Sequence, residues 1–538
     1  MTSNFGYGLL PGFLTFLLLA LFILLAIDQL RPPEAVGVSA SATEFSSERA
    51  MKHLNVIARK PHPPRSPEHA EVGNYIVNEL LAMGLSPERQ EGRNITNILV
   101  KLKGSGRGKA LLLAGHYDTV PSSPGASDDG SAVVVMLETL RAVLAGPPLD
   151  NDLICLFSDG EEFGLQGAKA FVFAHPWARD VGLVLNFEAR GNSGPALMFE
   201  TSDENGWLVR QFAEADAYPV GSSLSYELYK LLPNSTDLTV FKEAGFAGLN
   251  FAFINGSEVY HTANDSVHTI DQRSLQHQGS HALSLTRRFG NTSLEQVRDT
   301  DAVYFNLLGS GLIVYSQQWV LPLCALTSLL FIGVMAWGWK RRVLTFGGIA
   351  WGTVAVGLSI ICVLMTMLLL WWLLKTFQSL GSLPSATPYD GLQAFIIALL
   401  SVLAAALCYR RSLRRLSAGE LMAGGLVWWL LMSGATGLFL PGGSYLFTWP
   451  LLFNLIAVAF AFTSNSREAA ATQHLIMLSL AALLTVILFA PIIYLSIIAF
   501  TLKSPLSVAV LVMPAVLILA SLAPHLKQSS SHNLTSLP

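Results

Sequence analysis

The chain has 538 residues, too many for one ordinary domain. Half are hydrophobic (51%) and 13% are charged, about half the roughly 25% of a soluble protein, so much of the chain belongs in lipid. The net charge of −3 gives no electrostatic reason for a nucleic-acid partner, and Cys155, Cys324, Cys362 and Cys408 form neither a CxxC pair nor a disulfide or thiolate–metal framework.

In chain order, the first apolar run, Leu9 to Ile27, is long enough to span a bilayer once. It is longer than a signal-peptide core and no basic stretch precedes it, so it reads as an uncleaved anchor, with residues 1–27 forming a short N-terminus and one helix. Residues 28–304 then turn globular. "ALLLAGHYDTV" (110–120) is a strand running into a loop, and "SAVVVMLETLRAVLAG" (131–146) has helical spacing with Asp128 or Asp129 placed to cap it. "NDLICLFSDG" is a second strand and "QGAKAFVFAH" (166–175) a helix. "VGLVLNFEARG" (181–191) and "PALMFET" (195–201) are further strands, followed by a helix at 205–217, the strand "AGLNFAFI" (247–254) and a closing helix at 273–290. Apolar strands alternating with amphipathic helices predict an α/β domain, a mostly parallel mixed sheet flanked by helices.

After a linker at 305–317, seven candidate spans follow within 318–526, at about 318–338, 346–374, 392–409, 419–440, 446–463, 473–500 and 506–524. They predict an all-α membrane part, with residues 527–538 as a tail. "KRR" (340–342), "RRSLRR" (410–415), Arg467 and Lys527 fall in alternate loops, while the others hold only Lys375 and Lys503. The positive-inside rule therefore puts both termini in the cytoplasm and residues 28–304 outside it. Glu420 and His474 sit at span edges and the rest of the spans are nearly free of ionisable groups, which argues against a transporter. The lack of a disulfide pattern favours a bacterial inner membrane over a eukaryotic one.

In α/β sheets ligands bind at the carboxyl ends of the strands. Those ends carry His116 and Asp118; Asp128 and Asp129 in the next loop; Asp159, Glu161 and Glu162; Glu188; and His261 with Asp265. Each alone has a plainer explanation, such as a helix cap or a solvated loop acid. Together they converge on one sheet edge, and carboxylate plus imidazole without thiolate suits a catalytic zinc site. Two adjacent glutamates repel unless a cation lies near. In an extended segment neighbours point opposite ways, so one can hold a metal while the other moves protons.

The motifs "GHYDTV", "GASDDGSA", "DGEEFGLQG", "NFEARG" and "YHTANDS" resemble, in order, the metal motifs of the co-catalytic zinc aminopeptidases, a family that includes glutamate carboxypeptidase and the transferrin receptor. The resemblance covers about residues 50–290. One early span, a peptidase domain and a multi-span C-terminal half resemble the endoplasmic-reticulum metallopeptidase and fungal vacuolar membrane protease branch. The resemblance implies two zinc ions. His116 and Glu188 would hold one (many members have Asp where Glu188 stands), Glu162 and His261 the other, and Asp128 would bridge both. Glu161 would be the general base. Asp118 would accept the other N–H of His116, and Asp265 would order the His261 loop. Asp237 is placed either to cap a helix or to face the site. Tyr226 or Tyr229 could bind substrate or an oxyanion, and Phe163 and Phe251 could line an apolar pocket. The expected activity is hydrolysis of peptides from their N-termini by a membrane-anchored enzyme whose partners are peptide and bilayer. The alternative is an inactive peptidase-like receptor, which should have lost ligands or the base; here every such position holds a competent residue.

Overall fold

Seven strands form one sheet within the unit Leu30–Gln317: β1 (Glu88–Glu91), β2 (Thr96–Leu102), β3 (Ala110–His116), β4 (Leu153–Ser158), β5 (Val181–Ala189), β6 (Ser193–Thr201) and β7 (Ala247–Asn255). Their order is β1-β2-β4-β3-β5-β7-β6. The four central strands run parallel and the edges pair antiparallel. The computed structural model describes residues 10–106, 108–215, 217–379, 390–463, 467–500 and 505–522.

Every residue of β3 and β4 is buried, which is why both read as unbroken apolar runs rather than alternating ones. The period of two divides the core. Leu111, Leu113, Cys155 and Phe157 join a cluster on one face, and Leu112, Ala114, Ile154 and Leu156 join one on the other. The helices of this unit are α2 (Ser47–Ile57), α3 (Pro67–Ala82), α4 (Gly130–Leu144), α5 (Gln166–Ala174), α6 (Gly206–Ala215), α7 (Ser223–Tyr229), α8 (Asp237–Glu243) and α9 (Gln272–Gly290), α1 (Leu10–Asp28) belonging to the other unit. Residues of α2, α3, α4, α6 and α9 pack in the first cluster and those of α5 and α8 in the second. The sheet is thus covered on both faces, and the carboxyl ends of β3, β4, β5 and β7 emerge together.

The structure adds elements at both ends of the expected alternation. α2, α3, β1 and β2 precede the first expected strand. The stretch 305–317, expected as a linker, instead belongs to the hairpin of β8 (Ala302–Leu307) and β9 (Gly311–Ser316), paired antiparallel. Gly309 and Gly311 take positive φ of 78° and 67° in its turn, a backbone shape that glycine adopts without strain.

The second unit contains α1 together with α10 (Val320–Lys340), α11 (Phe346–Ser379), α12 (Asp390–Ser412), α13 (Ala418–Phe439), α14 (Tyr445–Thr463), α15 (Arg467–Phe500) and α16 (Pro505–Ser521). Among the described residues, Gln317–Lys340, Phe346–Phe377, Ala418–Phe439 and Ile476–Ala499 are long and apolar enough to cross a membrane, and Leu14–Asp28, Tyr445–Phe460 and Val512–Ser521 are shorter apolar helices. Lys503 and the tail at 527–538 lie outside the described residues. α11 and α13 approach closely: a Cβ on Gly424 would lie 2.1 Å from the Gly352 carbonyl carbon, the small-residue contact that lets apolar helices pack.

Candidate metal centre

His116 ends β3. Its Nδ1 faces the Asp118 carbonyl at 3.0 Å. That network assigns the proton to Nδ1 and leaves the Nε2 lone pair free. Nε2 lies 3.3 Å from Asp128 Oδ1 and 3.8 Å from Glu188 Oε2. The second oxygen of Asp128 is 3.1 Å from His261 Nε2, which is itself 2.9 Å from Glu162 Oε1. Glu188, His116, Asp128, His261 and Glu162 therefore form one chain of groups, with Asp128 central and one oxygen turned to each imidazole.

Despite these short distances, Asp128 Oδ2, Glu162 Oε1 and His261 Nε2 have no partner in hydrogen-bond geometry among the described residues. Buried ligand-type atoms converging without hydrogen bonds fit a cation better than one another. His116, Asp128 and Glu162 each offer a ligand atom within 4.8 Å of the others, and so do His116, Asp129 and Glu188. Asp129, however, is already engaged. One of its oxygens accepts from His116 N (3.2 Å) and the other from Ala132 N (3.3 Å), capping α4. The peptide bond between the two aspartates is cis. Asp128 is the acid with an oxygen to spare.

The two glutamates do not lie in an extended segment, as expected, but in a turn closed by the N–H groups of Gly164 and Leu165 on Glu161 O (3.0 and 2.9 Å). The Asp118 carboxylate accepts the N–H of Glu161 (3.1 Å) and of Glu162 (3.4 Å), and lies 3.5 Å from His116 Nδ1. So the Asp118 carbonyl, more than its carboxylate, orients the imidazole, while the carboxylate fixes the glutamate turn. Asp265 also differs from expectation. Its carboxylate accepts from Ser127 N (2.7 Å) and Asp128 N (3.0 Å), clamping the loop that presents Asp128. Asp159 turns away to His69 Nε2 (2.9 Å) and Thr96 N (2.7 Å). Asp237 is the first residue of α8 rather than its cap, and its carboxylate receives the Ser158 hydroxyl. The Tyr226 hydroxyl donates to Asp203 (2.6 Å), whereas the buried Tyr229 hydroxyl has no hydrogen-bond partner among the described residues. Phe251 is core, stacked on Phe187 at 5.6 Å, and Phe163 is exposed.

Burial pushes the carboxyls of Glu161, Glu162 and Glu188 above the usual range. Burial also opposes ionisation of Asp128, but the two imidazoles beside it hold it down at about 2. Burial opposes protonation of His116, and less so of the half-buried His261, yet Asp118 and Asp128 raise the first, and Asp128 and Glu162 raise the second to about 10. These acids retain charge only against a cation, and protons compete with metal for the imidazole nitrogens. A cavity of about 580 Å³ opens elsewhere, at the amino ends of β3, β5 and β7 beside Lys109, Val181 and Ala247. It holds none of the clustered groups, so the chemistry rather than the volume marks the site.

A mixed α/β sheet with helices on both faces, and this nitrogen–oxygen cluster at the ends of its parallel strands, is the arrangement in which α/β proteins place their ligand sites. Residues 97–286 match the model of Peptidase family M28. The resemblance to the multi-span branch also holds. Endoplasmic reticulum metallopeptidase 1 of Rattus norvegicus is 36% identical over 234 residues, 42% of this chain and 26% of the relative. A vacuolar membrane protease of Candida albicans (strain WO-1) is 34% identical over 335 residues, 58% of this chain and 39% of the relative. The match thus spans well under half the length of either. Among solved structures, an aminopeptidase from Aneurinibacillus sp. strain AM-1 is 13% identical with a TM-score of 0.40, over 48% of this chain and 98% of that one. A Porphyromonas gingivalis glutaminyl cyclase is 20% identical with a TM-score of 0.38, over 44% and 96%.

Proposed function

We propose that the chain is a membrane-anchored dizinc metallopeptidase that removes N-terminal residues from peptides. The observation that carries this is Asp128, which presents one oxygen to His116 and the other to His261. His116 and Glu188 would hold one zinc, Glu162 and His261 the other, and Asp128 would bridge them. When bound, the two zinc ions supply Lewis-acid polarisation of the peptide carbonyl and a water acidified toward neutrality. Glu161 accepts the proton of the attacking water and returns it to the leaving amine, a role suited to a carboxylate that burial has made more basic. The Tyr229 hydroxyl, buried and without a hydrogen-bond partner among the described residues, donates to the oxyanion. Asp118 holds both the imidazole and the glutamate turn in place.

In this reading residues 1–27 supply the first of eight spans, residues 28–304 form the peptidase domain outside the cytoplasm, and 318–526 anchor it in a bacterial inner membrane, with 527–538 a cytoplasmic tail. The substrate is peptide and the lipid bilayer is the other partner. The test pairs metal analysis of the purified chain with unblocked and N-acetylated peptides. Two zincs per chain and cleavage of unblocked peptides alone are the expected result; a chain that takes up no zinc sinks the reading. Glu161→Gln should keep its zinc and lose activity by about a thousand-fold.

A further inference from the structure

The groups clustered around the site are acids and imidazoles, with one exception at its rim. Arg190 is the first residue past the end of β5, two residues after Glu188. Its N–H still pairs with Phe253 O of β7 at 3.1 Å. Its guanidinium lies 5.9 Å from the centre of the Tyr260 ring. That ring stacks on His261, with centroids 3.7 Å apart and planes at 19°. Arg190 thus lies beside the tyrosine that stacks on His261. Its side chain is exposed, and among the described residues no carboxylate lies within ion-pair distance of it. The other cations of this region are occupied: Lys242 pairs with Glu200 at 3.0 Å and Lys230 with Asp203 at 3.3 Å.

From this placement, and resting on the hydrolytic reading above, we propose that Arg190 recognises a carboxylate on the residue that follows the scissile bond. A guanidinium presents a fork of N–H groups matched to a carboxylate, and this one has no such partner among the described residues. One peptide residue spans about 3.5 Å and a charge-assisted hydrogen bond about 2.8 Å, so a carboxylate one residue past the reacting carbonyl needs a guanidinium about 6 Å from that carbonyl. The carboxylate has two sources: the free C-terminus of a dipeptide, or an acidic side chain in a longer peptide. A cation at this place also disfavours a basic residue at the same position.

The experiment uses the full chain in detergent, loaded with zinc, and reads kcat/KM on four peptides: Ala–Ala and Ala–Ala amide, then Ala–Glu amide and Ala–Gln amide. The expected result is that at least one carboxylate member exceeds its neutral partner by ten- to a hundred-fold. The pair that discriminates names the source. In Arg190→Ala that ratio falls to near one, and Arg190→Lys restores part of it. A variant that merely loosens Tyr260 and His261 would slow both members of a pair alike and leave the ratio unchanged, which overturns the assignment. A wild-type ratio near one in both pairs overturns it as well, with hydrolysis intact. No cleavage of any peptide by zinc-loaded protein counts instead against the hydrolytic reading itself. As a readout free of turnover, calorimetry should find Ala–Glu bound at least ten-fold more tightly by Glu161→Gln than by Glu161→Gln with Arg190→Ala; equal binding overturns the proposal.

Discussion

Asp118 holds two parts of the site at once, the His116 ring through its carbonyl and the Glu161–Glu162 turn through its carboxylate. Asp118→Asn keeps the carbonyl but replaces one acceptor oxygen with an amide that donates, so one of the two N–H groups faces another donor. The turn should loosen and Glu162 should drift from His261. Zinc affinity is expected to fall about 10- to 100-fold, as for other groups that support metal ligands, measured by competition with a chromophoric chelator; unchanged affinity would show the turn to be held by its own backbone. The strand ends of the sequence bring His116, Asp128, Glu162, Glu188 and His261 into view among several other acids, and the choice of these five as ligands is what the resemblance to the zinc aminopeptidase motifs implies. The partners of those groups could not be named. That Asp129 caps α4 while Asp128 stays free, and that Asp265 clamps the Asp128 loop rather than the His261 loop, depends on backbone N–H directions that carry no residue-type signal. Arg190 carries no signal of its own in "NFEARG", and its place beside the Tyr260–His261 stack is visible only in the fold.

Elements showed the same division. The buried strands β3, β4, β5 and β7 and the helices between them follow from unbroken apolar runs and 3.6-residue spacing. β1 does not, since "ERQE" is polar and largely exposed and is a strand only because β2 pairs with it. The β8–β9 hairpin went unread because residues 305–317 border an apolar span and look like its approach. α2 was also missed, and its attachment depends on one buried acid far away in sequence. Glu138, wholly buried on α4, accepts from Arg49 Nε (2.8 Å), Arg141 Nε and Nη2 (2.6 and 2.8 Å) and Ser46 N (3.1 Å). Removing it leaves two guanidinium groups and a helix-start N–H without their acceptor. Breaking one side of such a buried pair costs about 3–5 kcal/mol. Glu138→Ala should therefore lower the thermal midpoint of this unit by about 10 °C, followed by near-ultraviolet circular dichroism. A shift under a degree or two would mean that the arginines find other acceptors in the nearby carbonyls of Ala40, Ala42 and Glu44, which they already contact.

At the scale of the whole molecule, charge rather than packing sets the expected orientation. Four described stretches are long and apolar enough to cross a membrane, and three shorter apolar helices accompany them, so helix counting alone leaves the parity of the spans open. Parity decides on which side residues 28–304 lie. The basic clusters at 340–342 and 410–415 follow α10 and α12, and Lys and Arg in short loops stay in the cytoplasm because moving them across the bilayer is costly. With α10 between the peptidase domain and the 340–342 cluster, the same rule predicts that domain on the far side. The assignment can be checked with single cysteines in a cysteine-free background, labelled in intact cells by a thiol reagent that does not cross the membrane. Cysteines in place of Arg341 and Ser412 should resist labelling until the membrane is opened, while one in place of the exposed Lys169 should label at once. Labelling of position 341 or 412 in sealed cells would invert the topology and place the peptidase domain in the cytoplasm. The zinc-site proposal would survive that result, because it rests only on groups within Leu30–Gln317, but the inner-membrane enzyme acting on external peptides would not.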